Sequence, residues 1–310
     1  MSRPFRFGVS VRHAGSRQEW QDKARRAEAY GYSILLVPDH VADILPPIAA
    51  LMSAADATTT LRVGTFVLNN DLRHPVLVAR EAAAIDLLSD GRFELGLGAG
   101  HMASEYRQLG VPFDANRTRA ERLAETVAIV KPLLGGEEVS FSGIHYQVTD
   151  HRIHPAPVQK PRPPLLIGGN SSNVLALAGR QADIASFLGF SHRRGGTDFD
   201  SAAFTHPGTE GRVAIVREAA GDRFPDLELN AVVQRVTVTD RRRAVAKEIA
   251  RDNGLSADDA LASPYLLLGS VDEIAEALIE GRERHGFSYI AVFEPALETF
   301  APVVERLSGT

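Results

Sequence analysis

Short apolar runs of β type alternate with longer runs of helical type along almost the whole of this 310-residue chain. The β-type runs are Phe5–Val11, Ser33–Val37, Leu61–Leu68, Phe93–Leu97, Pro164–Ile167, Asp183–Phe187, Leu229–Val238 and Tyr289–Glu294. They are rich in Val, Ile, Leu and Phe without strict alternation, the pattern of strands covered on both faces. Helical patterns fill the intervals at Gln18–Tyr30, Pro47–Thr58, Val76–Leu88, Arg117–Leu134, Ser172–Gln181, Pro207–Ala220, Arg241–Asp252, Val271–His285 and Leu297–Leu307. Each strand is followed by at least one helix, which implies a parallel sheet with helices outside it. Eight such units close a (β/α)8 barrel. A rival open, doubly wound sheet would usually carry its nucleotide fingerprint in the first strand-to-helix turn. That turn reads Ser10-Val-Arg-His-Ala-Gly-Ser and has no G-x-G-x-x-G. The expected fold is an α/β TIM barrel with insertions, residues 1–310 forming one domain.

Two stretches interrupt the alternation. Residues 138–163 hold two β-like halves around Ser142-Gly143, read as a hairpin, and then a proline-rich connector, Pro155-Ala-Pro-Val-Gln-Lys-Pro-Arg-Pro-Pro. Residues 189–206 are polar and Gly-rich, and are expected to form a mobile loop.

Composition narrows the chemistry. There is no cysteine, which removes disulfides, thiolate metal sites and a cysteine nucleophile together. A net charge of −5 argues against a nucleic-acid partner. No run of about 18 apolar residues occurs, so no membrane span is expected. The N-terminus enters a strand pattern without a signal-like stretch, and the expected location is the cytoplasm.

Barrels of this kind gather their chemistry at the C-terminal ends of the strands. Those ends carry Arg12 and His13, Asp39 and His40, Asn69, Asn70 and Asp71, Gly98 to His101, Gly168 to Ser171, and Glu294. Asp39-His40 follows Ile34-Leu-Leu-Val and a proline; the imidazole can move a proton near neutral pH, and the same dipeptide also suits a surface loop or a helix cap. Gly96-Leu-Gly98-Ala-Gly100-His permits close approach of a planar ring or of backbone, or serves packing in a crowded barrel corner. Ile167-Gly168-Gly169-Asn170-Ser171-Ser172 places two glycines and free backbone N–H groups at a helix N-terminus, which suits an anion, although Asn and Ser also cap helices without any ligand. His151 and His154 are spaced i, i+3, but Pro155 and Pro157 oppose the helix that would align them, so no metal site is expected. Neither a G-x-S-x-G elbow nor a Walker sequence is present.

Taken in order, Val37-Pro-Asp39-His40, Leu61-Arg-Val-Gly64-Thr-Phe-Val-Leu-Asn-Asn, His74-Pro75-Val-Leu-Val-Ala-Arg80-Glu81, Leu88-Ser-Asp-Gly91-Arg92-Phe-Glu-Leu-Gly96-Leu-Gly98-Ala-Gly100 and Ile167-Gly168-Gly169 resemble the bacterial luciferase-like superfamily. The likeness is greatest to its deazaflavin (coenzyme F420)-dependent oxidoreductases of actinobacterial type. It implies a deazaflavin ring at the C-terminal rim, a homodimer, and a non-prolyl cis peptide at Phe66–Val67 pressing behind the ring. By that resemblance Asp39 and His40 are the catalytic pair. Asp39, Phe66, Val67, Gly98, Ala99, Gly100, Gly168, Gly169, Asn170 and Ser171 hold the cofactor, and His13, Asn69 and His101 face a small-molecule substrate. Two departures stand out. Sugar-phosphate dehydrogenases of this group carry a glutamate where Arg12 and His13 stand, and a tryptophan where Val41-Ala-Asp-Ile follows Asp39-His40. Activity on glucose 6-phosphate is therefore not expected. The expected function is F420-dependent hydride transfer between the deazaflavin C5 and a small organic substrate. The alternatives are an FMN-dependent monooxygenase fed by a separate reductase, and a cofactor-binding barrel without turnover.

Overall fold

The computed structural model describes residues 3–189 and 201–310. The chain runs through β1 (Arg6–Ser10), α1 (Arg17–Ala29), β2 (Ile34–Val37), α2 (Pro47–Asp56), β3 (Arg62–Thr65), β4 (Leu68–Asn69), α3 (Pro75–Leu88), β5 (Phe93–Gly98), α4 (Ala103–Leu109) and α5 (Asn116–Leu134). A hairpin of β6 (Val139–Ser142) and β7 (Gln147–His151) precedes β8 (Leu165–Gly168), α6 (Ser172–Gln181), β9 (Ile184–Leu188) and α7 (His206–Ala220). The last part comprises β10 (Glu228–Val232), β11 (Arg235–Val238), α8 (Arg242–Asn253), α9 (Ala257–Ala262), β12 (Leu266–Gly269), α10 (Val271–His285), β13 (Phe287–Phe293) and α11 (Ala301–Leu307).

The main sheet is parallel and closes on itself in the order β1, β2, β3–β4, β5, β8, β9, β10, β13. It is the eight-position barrel expected from the alternation, with β3 and β4 sharing one position. The helices bury apolar faces against its outside; Trp20, Leu51, Leu123, Val216 and Val304 are all within that outer core. The lumen is filled by Ile34, Leu36, Leu166, Ile184, Tyr289 and Ala291, with Phe66 and Val67 packed above them. At the N-terminal end Glu94 is buried between Arg6 and Arg62, which hold its carboxyl in the charged form against the opposing effect of burial.

Three strand expectations need correction. The run Leu61–Leu68 is divided, because the chain bulges at a cis Phe66–Val67 bond between β3 and β4. There the Thr65 hydroxyl bridges to Gly96, accepting from its N–H and donating to its C=O at 2.8 and 2.9 Å, in place of the interrupted ladder. The run Leu229–Val238 also divides. After Val232 the chain leaves the barrel, and β11 pairs in parallel with β12 in a separate two-stranded sheet. β12 itself is a short apolar run, Leu-Leu-Leu-Gly, absent from the sequence reading. The helices α4 and α9 were likewise unforeseen; both are seven residues or shorter. The hairpin stands where expected, antiparallel, with Phe141 opposite Val148. Of the loop expected at 189–206, residues 190–200 lie outside the described residues, and Ser201–Phe204 form a 3-10 turn leading into α7. Among the described residues no helix is long and apolar enough to cross a membrane.

Candidate active site

The strand break brings backbone and side chains of β4 into the barrel mouth, and three glycines make room for it. A Cβ on Gly98 would stand 2.5 Å from a Val67 methyl, one on Gly168 3.2 Å from another, and one on Gly96 2.1 Å from the Thr65 carbonyl oxygen. Gly96, Gly98 and Gly168 are thus the negative image of the bulge. Of the readings open for the glycine pattern, close packing around the bulge is one that these contacts carry. Gly100, at φ 72°, lies against the Tyr106 hydroxyl and Asn69, where a Cβ would clash with both.

Asp39 is buried and its carboxylate is fully engaged. It accepts a hydrogen bond from the Asn69 backbone N–H at 2.9 Å and forms a two-pronged ion pair with Arg73. It therefore ties the end of β2 to β4 across the bulge. His40 has a different environment. Its Nδ1 lies 2.9 Å from Glu105 Oε1, and the same oxygen accepts from the Val41 N–H at 3.2 Å. Glu105 is only 4% exposed, on α4. A carboxylate accepts and cannot donate, so this contact fixes the proton of a neutral imidazole on Nδ1 and leaves Nε2 as the free basic nitrogen. No described residue bonds that Nε2. The His101 ring meets the His40 ring edge-on, centroids 5.5 Å apart.

Asn69 is also turned inward: its side-chain carbonyl accepts from the Asp71 N–H and the Tyr106 hydroxyl at 3.2 and 3.0 Å. Asp71 receives the same hydroxyl and an ion pair from Arg122 at 2.8 Å. Burial raises the Tyr106 phenol well above its usual range, so it acts as a neutral donor in this cluster. His13 is exposed, and its backbone carbonyl takes the Lys23 ammonium, which also pairs with Glu294 at 2.7 Å.

On the far side of the mouth, β8 ends at Gly168-Gly169 and α6 begins. Asn170 is clamped to the end of β9, bonding both the N–H and the C=O of Leu188. Ser171 occupies the N-cap position but makes no side-chain capping bond, and residues 171–173 are exposed. The first N–H groups of α6 thus have no side-chain cap.

Asp39, His40, Phe66, Val67, Gly98, Ala99, Gly100, His101, Gly168, Gly169 and Ser171 all lie at this one end of the barrel, as the sequence placed them. Glu105, Arg73 and Tyr106 were missed. The one available sign was Gly110, left-handed at φ 68°, which stops a short helix that carries Glu105 and Tyr106.

The profile of the luciferase-like monooxygenase family matches residues 1–289. An uncharacterized protein of Mycobacterium tuberculosis is 32% identical over 225 residues, covering 65% of this chain and 72% of its own length. A Microbacterium testaceum protein named F420-dependent glucose-6-phosphate dehydrogenase is 32% identical over 198 residues. That match covers 59% of this chain and 56% of the dehydrogenase, so the chain spans little more than half of that relative. Among solved structures, the coenzyme F420-dependent tetrahydromethanopterin reductase of Methanopyrus kandleri superposes with a TM-score of 0.77 over 98% of both chains at 17% identity. At that identity it shows a shared fold.

Proposed function

This chain belongs to the luciferase-like monooxygenase family, and from that premise we propose that it is an F420-dependent oxidoreductase. The relatives named for F420-dependent dehydrogenation support the cofactor. The observation that carries the chemistry is the His40–Glu105 pair at the mouth of the barrel. The residues fit the cofactor. The unused Ser171 hydroxyl and the α6 N-terminus offer a seat for its phosphate, and Phe66 and Val67 form an apolar floor for its ring. Bound F420 supplies hydride transfer at the deazaflavin C5; the protein supplies orientation and proton handling.

His40 exchanges the accompanying proton at a substrate oxygen through Nε2. Glu105 holds the ring in the tautomer that permits this and stabilises the charged imidazolium when it forms. Asp39 acts at one remove: through Asn69 and Arg73 it fixes the bulge against which the ring lies. Asn69, turned to Tyr106, positions rather than binds, while His101 and His13 stand exposed where a substrate enters. A homodimer follows from the family resemblance; Leu77, Leu87 and Leu88 of α3 are exposed and supply apolar surface for it.

The test is titration of the purified protein with F420 and, separately, FMN, followed by ligand fluorescence. F420 binding with no FMN binding is expected. Binding of FMN alone would move the protein to oxygen chemistry with a reductase partner, and binding of neither would leave a barrel without redox function. Light scattering at micromolar concentration checks the dimer.

A further inference from the structure

At the end of β1 one strong charge at the barrel mouth has no counter-charge among the described residues. Arg12 lies two residues beyond Ser10, its guanidinium 4.9 Å above the Phe293 ring at the end of β13. Its Nε is buried without a hydrogen-bond partner, and among the described residues no carboxylate pairs with the group. The carboxylates at this rim are engaged elsewhere: Asp39 with Arg73, Glu105 with His40, Glu294 with Lys23 and Asp71 with Arg122. Burial with nothing to offset it lowers the guanidinium pKa, in contrast to Arg6 and Arg122, whose carboxylates raise theirs. A buried N–H donor left unpaired is costly, and binding sites are where such donors await a ligand.

We propose that Arg12 seats a carboxylate of the substrate, so that the substrate is an organic acid with an apolar body presented to His40. This assignment of substrate rests on the oxidoreductase reading above; the anion site itself does not. Position separates it from the cofactor's phosphate. Around the closed barrel β1 is four places from β8, directly across the mouth from the α6 N-terminus, whereas β2, which carries His40, is its immediate neighbour. The planar fork of arginine matches a carboxylate through two parallel bonds, and Nε is one of the donors that such a pair uses. The apolar body follows from the surroundings. Phe293 lies beneath the guanidinium, and Val41 and Met102, each next to one of the two facing histidines, are 39% and 37% exposed.

The probes are benzoate, its neutral isostere benzamide, and inorganic phosphate. Each is titrated by calorimetry into wild-type protein, Arg12→Met and Arg12→Lys, with and without F420. The wild type is expected to bind benzoate at least about tenfold more tightly than benzamide, and more tightly than phosphate. Arg12→Met should abolish the preference, and Arg12→Lys should keep a smaller one. Benzoate should also shift one arginine Nε–H resonance in the wild type, a signal absent from Arg12→Lys, which decides the matter even if Arg12→Met does not fold. No preference in the wild type, a preference surviving in Arg12→Met, or phosphate binding tighter than that of benzoate and lost in Arg12→Met overturns the proposal. So does displacement of benzoate by F420 together with weakened F420 binding in Arg12→Met, which would assign Arg12 to the cofactor. Failure of F420 to bind, with the benzoate preference intact, removes the redox reading and leaves the anion site standing.

Discussion

Gly98→Ala tests whether the glycines at the mouth exist to accommodate Val67. The new methyl would stand 2.5 Å from Val67 Cγ2, whereas carbon atoms in contact rest about 3.5–4.0 Å apart. At least about 1 Å of overlap must therefore be relieved. The other Val67 methyl, Cγ1, lies over Gly96 and Gly168, where a Cβ on either would stand 3.1 and 3.2 Å from it, so only the absence of those Cβ atoms leaves it room. A Val67 displaced toward the mouth would enter the space proposed for the ring. Overpacking of this size costs about 1–3 kcal/mol, and Gly98→Ala should lose that much stability in urea unfolding while weakening F420 binding. Val67→Ala in the same chain should restore most of it, giving a coupling above about 0.5 kcal/mol in a double-mutant cycle. Gly96→Ala is the control: its methyl meets the Thr65 carbonyl oxygen at 2.1 Å, which is backbone, so Val67→Ala should not rescue it. Gly98→Ala within about 0.5 kcal/mol of wild type, or strictly additive losses with Val67→Ala, would refute the packing argument.

Glu105→Gln should lower turnover by about tenfold to a hundredfold and alter the pH profile, with F420 affinity nearly unchanged, because an amide no longer fixes the His40 tautomer; unchanged turnover removes Glu105 from the mechanism. His40→Ala should cost about 10²–10⁴ in turnover, and a folded variant near wild-type rate would leave His40 only lining the site. Asp39→Asn should cost about 1.5–3 kcal/mol of stability by weakening the Arg73 and Asn69 contacts, and a melting temperature equal to wild type would contradict the clamp. Far from the mouth, His285 is buried with Nε2 2.7 Å from His206 Nδ1, and burial chiefly, then the neighbouring His206 and Arg284, push its pKa down to about 4. Its folded pKa is below its unfolded value near 6.5, so its contribution is complete above about pH 6.5 and is lost as pH falls toward 4. Urea unfolding should show roughly 2–3 kcal/mol less stability from this group at pH 4.5 than at pH 7, and His285→Gln should flatten that limb; an identical pH dependence in the variant would exclude His285 as its source.

The barrel was legible because burial on both faces leaves a dense apolar signal in every strand, and because helices must return the chain between parallel neighbours. What failed was the identity of a strand's partner. Leu229 to Val238 reads as one β-type run, yet Val233 still bonds to Ala291 of the barrel while Gln234 already bonds to Tyr265 outside it. Local sequence reports that a segment is extended and buried; it does not report which edge it joins. The same limit hid the division of labour at Asp39-His40. The two residues are adjacent in sequence and look like one functional pair, but their side chains go to partners in different parts of the chain. Asp39 meets Arg73, 34 positions away, and His40 meets Glu105, 65 positions away. A side chain's role at a barrel rim is set by partners delivered from other strands.

That separation also explains how one scaffold can hold a cofactor firmly and still vary its substrate. The floor is over-determined: Val67 is enclosed by three glycine positions, β4 is tied to β2 through Asp39 and to α4 through Tyr106, and β3 is bridged to β5 by the Thr65 hydroxyl. Few of these residues can change alone without leaving a buried group unpaired or a methyl without space. Arg12, by contrast, is tied to no side chain of the described fold except by its position over Phe293. Replacing it removes no hydrogen bond from the barrel. A residue so free to change, at the strand end beside His40, sits where specificity can diverge without cost to the fold. Exchanging Arg12 for a glutamate should therefore leave melting and F420 affinity near wild type while reversing the preference from anionic toward neutral or cationic probes. Loss of the fold or of F420 binding in Arg12→Glu would mean that floor and mouth are not separable, and that substrate choice in this barrel is coupled to how the cofactor is held.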